Sequence, residues 1–190
     1  MSFIVKSILV ILLLDFQVTC AAGTSSKNNL TKKEFLALAI KNTNSSEVQK
    51  PETKTLWLDK KIQSKVSSIL DHNYPKLRLR YQQIRAEEYF QTVWFLDEIG
   101  KERPISFAVS VINNRVDLIR VLTFRESRGG EIQMQAFSQQ FDQVGLNSES
   151  LLDKNIDGIT GATMSVSAMK KITRLAIILH RIVSTKELSK

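Results

Sequence analysis

Apolar residues recur every three or four positions near both ends of this chain and every second position in its middle. The first spacing belongs to a helix with one buried side, the second to a half-buried strand. Thr31 to Ile40 predicts a short helix with Phe35, Leu36, Leu38 and Ile40 apolar, and Thr31 with Glu34 has capping-box spacing. Lys54 to Leu70 predicts a second helix, on Leu58, Ile62, Val66, Ile69 and Leu70. Leu77 to Glu88, highly charged, predicts a third, with Glu87 and Glu88 as its solvated end. The period then changes. Thr92-Val93-Trp94-Phe95-Leu96 is a β-rich run within Tyr89 to Leu96, and Gly100 and Pro104 bound the turn after it. Ile105, Phe107, Val109 and Val111 alternate with Ser106, Ala108 and Ser110. Asn113-Asn114 predicts a hairpin turn, because Asn tolerates positive φ. The return strand, Val116 to Phe124, carries Ile119, Val121 and Leu122 on both faces, which predicts a central place in the sheet. Met164 to Thr185 predicts a long final helix whose broad stripe (Met169, Ile172, Ala176, Leu179, Val183, widened by Leu175, Ile178 and Ile182) is core packing.

This order predicts an α+β fold: a small antiparallel sheet packed against helices, closed by a long C-terminal helix. At 190 residues, 43% hydrophobic and 24% charged, the chain is globular in composition. The net charge of +8 is compatible with nucleic acid, anionic lipid or acidic proteins. No run of like charges occurs and acidic residues are interspersed, so the basic residues read as solvated.

The N-terminus reads as an export signal over residues 1–22. Lys6 supplies a positive start, Ile8 to Leu14 an apolar core, and Thr19, Cys20, Ala21 and Ala22 small residues for cleavage. The apolar run falls short of the roughly 20 residues that span a bilayer. Cys20 is the only cysteine; Gln17-Val18-Thr19 makes a poor lipobox, which disfavours acylation there without excluding it. Loss of Cys20 with the signal would leave no thiol for disulfides or thiolate metal sites. Export also argues against a nucleic-acid partner. Residues 23–55 form a polar segment with one short helix, and the main domain occupies 56–190.

Two stretches carry candidate chemistry. In Asp157-Gly158-Ile159-Thr160-Gly161-Ala162-Thr163-Met164-Ser165, two minimal side chains precede a hydroxyl at the predicted start of a helix. Free N–H groups and the helix dipole favour a phosphate there. The same residues also suit a plain helix cap by Thr163 or Ser165. In Arg125-Glu126-Ser127-Arg128-Gly129-Gly130-Glu131, the glycine pair permits a sharp turn and Arg128 offers a cation; a solvated surface turn reads equally well from composition.

The first stretch resembles the Asp-x-x-(Ser/Thr)-Gly-Ala-Thr signature of the FMN-binding domain family, with Thr160 where Ser is more usual. The second resembles the turn after the central strands in the exported branch of that family. Phe137-Ser-Gln-Gln-Phe141, Trp94 to Lys101 and Pro104-Ile105 are similar to it as well, so the resemblance runs in order over roughly residues 90 to 183. It implies an FMN joined by a phosphoester to Thr163, with Asp157, Thr160, Gly161 and Ala162 as the recognition sequence of a flavin transferase that uses FAD and magnesium. It also places Glu126, Ser127, Arg128, Gly129 and Gly130 beside the cofactor, where a cation would stabilise reduced flavin.

No haem or iron–sulfur cysteine pattern, Walker motif, nucleophile elbow or dinucleotide fingerprint occurs, and His72 and His180 lack zinc-site spacing. The resulting expectation is an exported, periplasmic or membrane-facing electron carrier serving unidentified redox partners, not an enzyme with its own substrate pocket. Two other readings stay open: a non-covalent flavin-binding sensor or module, and a cofactor-free envelope protein that uses its basic surface.

Overall fold

The computed structural model describes residues 30–43, 49–86 and 89–188. The expected export signal with Lys6 and Cys20, and the pair Glu87 and Glu88, lie outside the described residues. Among the described residues no helix is long and apolar enough to cross a membrane.

Helix α1 spans Lys32–Asn42 and begins as its sequence predicts. Thr31 Oγ1 accepts the Glu34 N–H at 3.2 Å, and the Glu34 carboxylate accepts the Thr31 N–H at 2.7 Å. Both ends of the capping box are therefore closed.

The next two predicted helices are corrected. Residues 54–57 belong to strand β1, Glu52–Trp57, and helix α2 is confined to Lys60–Leu70. Asp59 caps that helix, its Oδ1 accepting the Ile62 N–H at 2.8 Å, and so sets its start. Leu77 to Glu88 is not helical over its described residues: Arg78–Arg85 is strand β2. Arginine and glutamine raise the helical propensity of this run, but buried Leu79 and Tyr81 alternate with exposed Arg78 and Arg80. That period of two, satisfied by strands on both sides, overrides propensity.

Strands β3 (Phe90–Ile99), β4 (Pro104–Ile112) and β5 (Arg115–Thr123) follow as expected. Asn113 and Asn114 have φ of 49° and 65°, the backbone of a two-residue hairpin turn. A short helix α3, Gln135–Ser138, lies between the 3₁₀ turns Gly130–Gln133 and Gln139–Phe141. Helix α4 runs from Thr163 to Leu188, slightly beyond both expected ends.

The five strands pair in chain order, each antiparallel to the next. Helices α2 and α4 cover one face, and α1 the other. Trp94, Phe107, Val109 and Ile119 join the core beneath α4, while Val93, Ala108, Leu118 and Leu122 join Phe35 and Ala39 of α1. Alternation thus feeds two cores at once.

The expected central place of the return strand is also corrected: β5 is an edge strand. Its two apolar faces reflect helices on both sides. Residues 143 and 144 lie along its outer edge: Val116 N–H donates to Val144 O (2.9 Å), and Gln143 N–H donates to Val116 O (2.8 Å). This covering loop partly satisfies an edge that would otherwise be open.

Buried polar links tie helices to sheet. Asn42 Nδ2 and Ser110 Oγ donate to Asp117 at 2.7 and 2.9 Å, and burial pushes the Asp117 carboxyl above its usual range. Under α4, His180 Nδ1 lies 2.8 Å from Thr92 Oγ1, which also accepts the Trp94 indole N–H at 2.8 Å. Burial, with Arg181 adding to it, lowers the His180 imidazole to about 4.

Candidate functional site

Strand β5 delivers the chain into the turn 125–130, and Ile132 anchors that turn in the core. Gly129 takes φ of 84°, a conformation other residues adopt only with strain. Gly130 does not share it.

The other candidate stretch is fixed from several directions. Ile156 is buried, and its carbonyl accepts from Lys170 Nζ at 2.8 Å. Asp157 N–H donates to Gln140 Oε1 at 2.9 Å. Gln140 lies within the Phe137-Phe141 element, whose two rings pack edge to face in the core, 6.0 Å between centroids. Ala162 N–H donates to Ile159 O at 2.9 Å, closing a turn in which Gly161 has φ of 80°. Helix α4 then begins at Thr163.

Gly129 and Ala162 bring the two stretches together. A Cβ built on Gly129 would lie 2.9 Å from the Ala162 Cβ and 3.1 Å from Ser165 Oγ. Only a residue without a side chain permits this approach. Beside the contact lies a cavity of about 540 Å³, lined by Glu126, Ser127 and Arg128 on one side and by Gly161 to Ser165 on the other, with Lys101 and Glu102 at its rim. A second hollow of about 650 Å³ shares Ser127, Arg128 and Gly161 with the first, and Gly129, Gly130 and Thr160 also line it. Asp157 is exposed and lines neither hollow.

Thr163 is exposed and is the first residue of α4, so it is not the N-cap. The first helical hydrogen bond runs from Val166 N–H to Ala162 O at 3.0 Å. Among the described residues the N–H groups of Thr163, Met164 and Ser165 have no acceptor. Three donors at the positive end of a long helix, beside an exposed hydroxyl, have the polarity that suits a phosphate. Arg128 is exposed and makes no hydrogen bond or ion pair among the described residues, leaving its guanidinium available to the cavity.

Glu126 has a structural task. Its Oε1 accepts the N–H groups of Lys101, Glu102 and Arg103 at 2.7, 2.8 and 3.0 Å. These bonds, the Arg103 N–H foremost, hold its carboxyl below the ordinary range. They also draw the β3–β4 turn to the cavity rim. A Cβ on Gly100 would stand 2.6 Å from Glu126 Oε1, so that glycine admits the carboxylate. Sequence reasoning read Gly100 as a turn boundary and left Lys101, Glu102, Met164 and Ser165 out of the site. The continuation of the 157–163 stretch into α4 is the signal that points to the last two.

Among the described residues no group of three or more metal-ligating side chains gathers. No curated protein and no solved structure matches the chain. The family model of the FMN-binding domain matches residues 100–178. That span contains β4, β5, both stretches lining the cavity and most of the buried length of α4. Residues 100–178 are therefore similar to the FMN-binding domain family, and that similarity supports flavin binding.

Proposed function

We propose that this protein is an exported electron carrier that holds FMN covalently, through a phosphoester to Thr163. The observation that carries this reading is an exposed Thr163 hydroxyl beside three helix N–H groups without acceptors, at the mouth of a cavity of about 540 Å³. The residues fit the group: the α4 N-terminus receives the phosphate, and Gly129 against Ala162 keeps the approach free of side chains. Glu126 is engaged by three backbone N–H groups, while Lys101 and Arg128 supply positive charge.

Attachment requires a phosphoryl donor and an outside catalyst. Thr163 Oγ1 attacks the flavin-side phosphorus of FAD, its proton passes to a base of the transferase, and AMP departs with the electrons of the broken P–O bond. Asp157 and Thr160, exposed on the approach to Thr163, are the side chains a transferase would read. Once bound, the flavin supplies reversible redox chemistry, and the chain holds and tunes it. Covalent attachment suits a protein outside the cytoplasm, where a dissociated cofactor is lost. The signal-like residues 1–22 support export, and redox proteins at or near the membrane are the proposed donor and acceptor.

Co-expression with a flavin transferase tests the proposal. The expected result is gel-stable yellow fluorescence, an intact mass increased by one esterified FMN, and a modified peptide containing Thr163. Flavin released on denaturation would replace the covalent reading with a non-covalent one. A colourless protein would defeat both. N-terminal sequencing of envelope-fraction protein tests export; a mature start near Ala21 to Gly23 is expected, and intact Met1 would overturn it.

A further inference from the structure

A groove of about 410 Å³ is lined by residues of α2, by Ser150 and by the C-terminal half of α4, well away from Thr163. Arg181 on its wall lies eighteen residues into α4, about 27 Å from Thr163 along the helix axis. The floor is apolar: Ile62 and Ile178 are 8% and 3% exposed, and half-buried Ile182 extends it. The rim carries Lys61, Lys65 and Arg181, and none of the lining side chains is acidic. Other cations of α4 have partners: Lys171 meets Asp71, while Lys170 and Arg174 donate to the carbonyls of Ile156 and Ser150. The side chains of Lys61, Lys65 and Arg181 have no such partner among the described residues.

We propose that this groove binds an anionic amphiphile with a single hydrocarbon chain, its head a carboxylate. Ile62, Ile178 and Ile182 would remove the chain from water, and the three cations would hold the head. Charge complementarity selects an anion, and the recessed floor selects one chain over a bilayer. A flat membrane meets the cations first and does not reach apolar side chains this deeply set. The volume lies within the range of small-molecule sites. The proposal does not depend on the flavin reading.

The probe is sodium dodecanoate below its micelle concentration, added to the full-length mature protein and followed by amide NMR shifts. Saturable shifts confined to residues around Lys61, Lys65, Ile178 and Ile182 are expected. Dodecyl maltoside keeps the chain and loses the charge, and acetate keeps the charge and loses the chain; each should bind at least about tenfold more weakly. Lys65→Glu and Arg181→Glu should each weaken dodecanoate binding by about tenfold, the loss of one charge-assisted contact. Lys65→Ala and Arg181→Ala serve if either charge reversal disturbs folding. Equal binding of the maltoside or of acetate, or no saturable shift, would overturn the proposal. So would binding to phosphatidylglycerol vesicles at these residues without binding of monomeric dodecanoate, which would make the groove a membrane contact.

Discussion

Gly129 and Ala162, from two turns far apart in the chain, approach so closely that a Cβ on Gly129 would stand 2.9 Å from the Ala162 Cβ. The residue before the attachment candidate is thus seated directly on the turn that carries Arg128. Gly129→Ala adds that atom and also strains a φ of 84°. It should destabilise the fold by about 1–3 kcal/mol and lower flavin loading by displacing the start of α4. Gly130→Ala meets the end of the Gln133 side chain at 3.4 Å and the Phe124 ring at 3.9 Å, both tolerable contacts, and should change stability by less than about 0.5 kcal/mol. Denaturant unfolding of both variants, paired with flavin-to-protein ratios, checks the contrast.

Thr163→Ala should abolish covalent flavin while leaving stability within about 0.5 kcal/mol of wild type. Thr163 is exposed, is not the N-cap, and makes no side-chain hydrogen bond among the described residues. Thr163→Ser retains a hydroxyl and should keep partial labelling. Asp157→Ala should slow labelling without removing the acceptor. Intact mass and thermal melts measure the two effects separately, and FMN on Thr163→Ala would refute the assignment.

Arg128→Ala should lower the midpoint potential of flavin-loaded protein, because a cation beside the reduced flavin is lost. Its exposed side chain has no partner among the described residues, so folding should be unaffected. Redox titration decides the matter; an unchanged potential removes Arg128 from the flavin environment.

Glu126→Ala should free the N–H groups of Lys101, Glu102 and Arg103 and loosen the rim of the cavity. Because the folded carboxyl is held below its ordinary value of 4.5, its support is present above that pH and is lost as pH falls through the lowered value. Hydrogen exchange at these three amides should show less protection in Glu126→Ala at neutral pH. The difference from wild type should close under strong acid.

His180 should make stability depend on pH. Its imidazole titrates near 4 when folded and near 6.5 when exposed, so the unfolded chain binds more protons between these values. Stability is retained above 6.5 and falls as pH drops toward 4, by roughly 3 kcal/mol. Asp117 and Asp142, both raised chiefly by burial, act in the opposite sense at the acidic end. The slope specific to the histidine is therefore the difference between wild type and His180→Gln in denaturant unfolding over that range.

Much of the architecture was legible because its causes are local. The Thr31 and Glu34 capping box, the alternation from Ile105 to Val111, the Asn113-Asn114 turn and the stripe of the final helix all depend on neighbours within a few residues. The hydroxyl at the start of α4 was legible for the same reason, since two small residues and a helical period announce it.

Other features depend on partners remote in sequence. Residues 54–57 fall within a run of helical spacing and residues 78–85 are rich in arginine and glutamine, yet both become strands because they pair with each other, and β2 pairs again with β3. Strand β5 is apolar on both faces yet lies at the sheet edge, because α1 and α4 cover its faces and residues 143–144 its rim. The same applies within the site. Sequence presented Gly129 and Gly130 alike and set Glu126 beside Arg128. Only the fold sets Gly129 against Ala162 and gives Glu126 to the turn at 101–103. By itself the sequence singled out the two segments that line the cavity. Tertiary structure decided which of their residues face the cavity, because that choice rests on steric contact and hydrogen bonding between chain segments that no local pattern encodes.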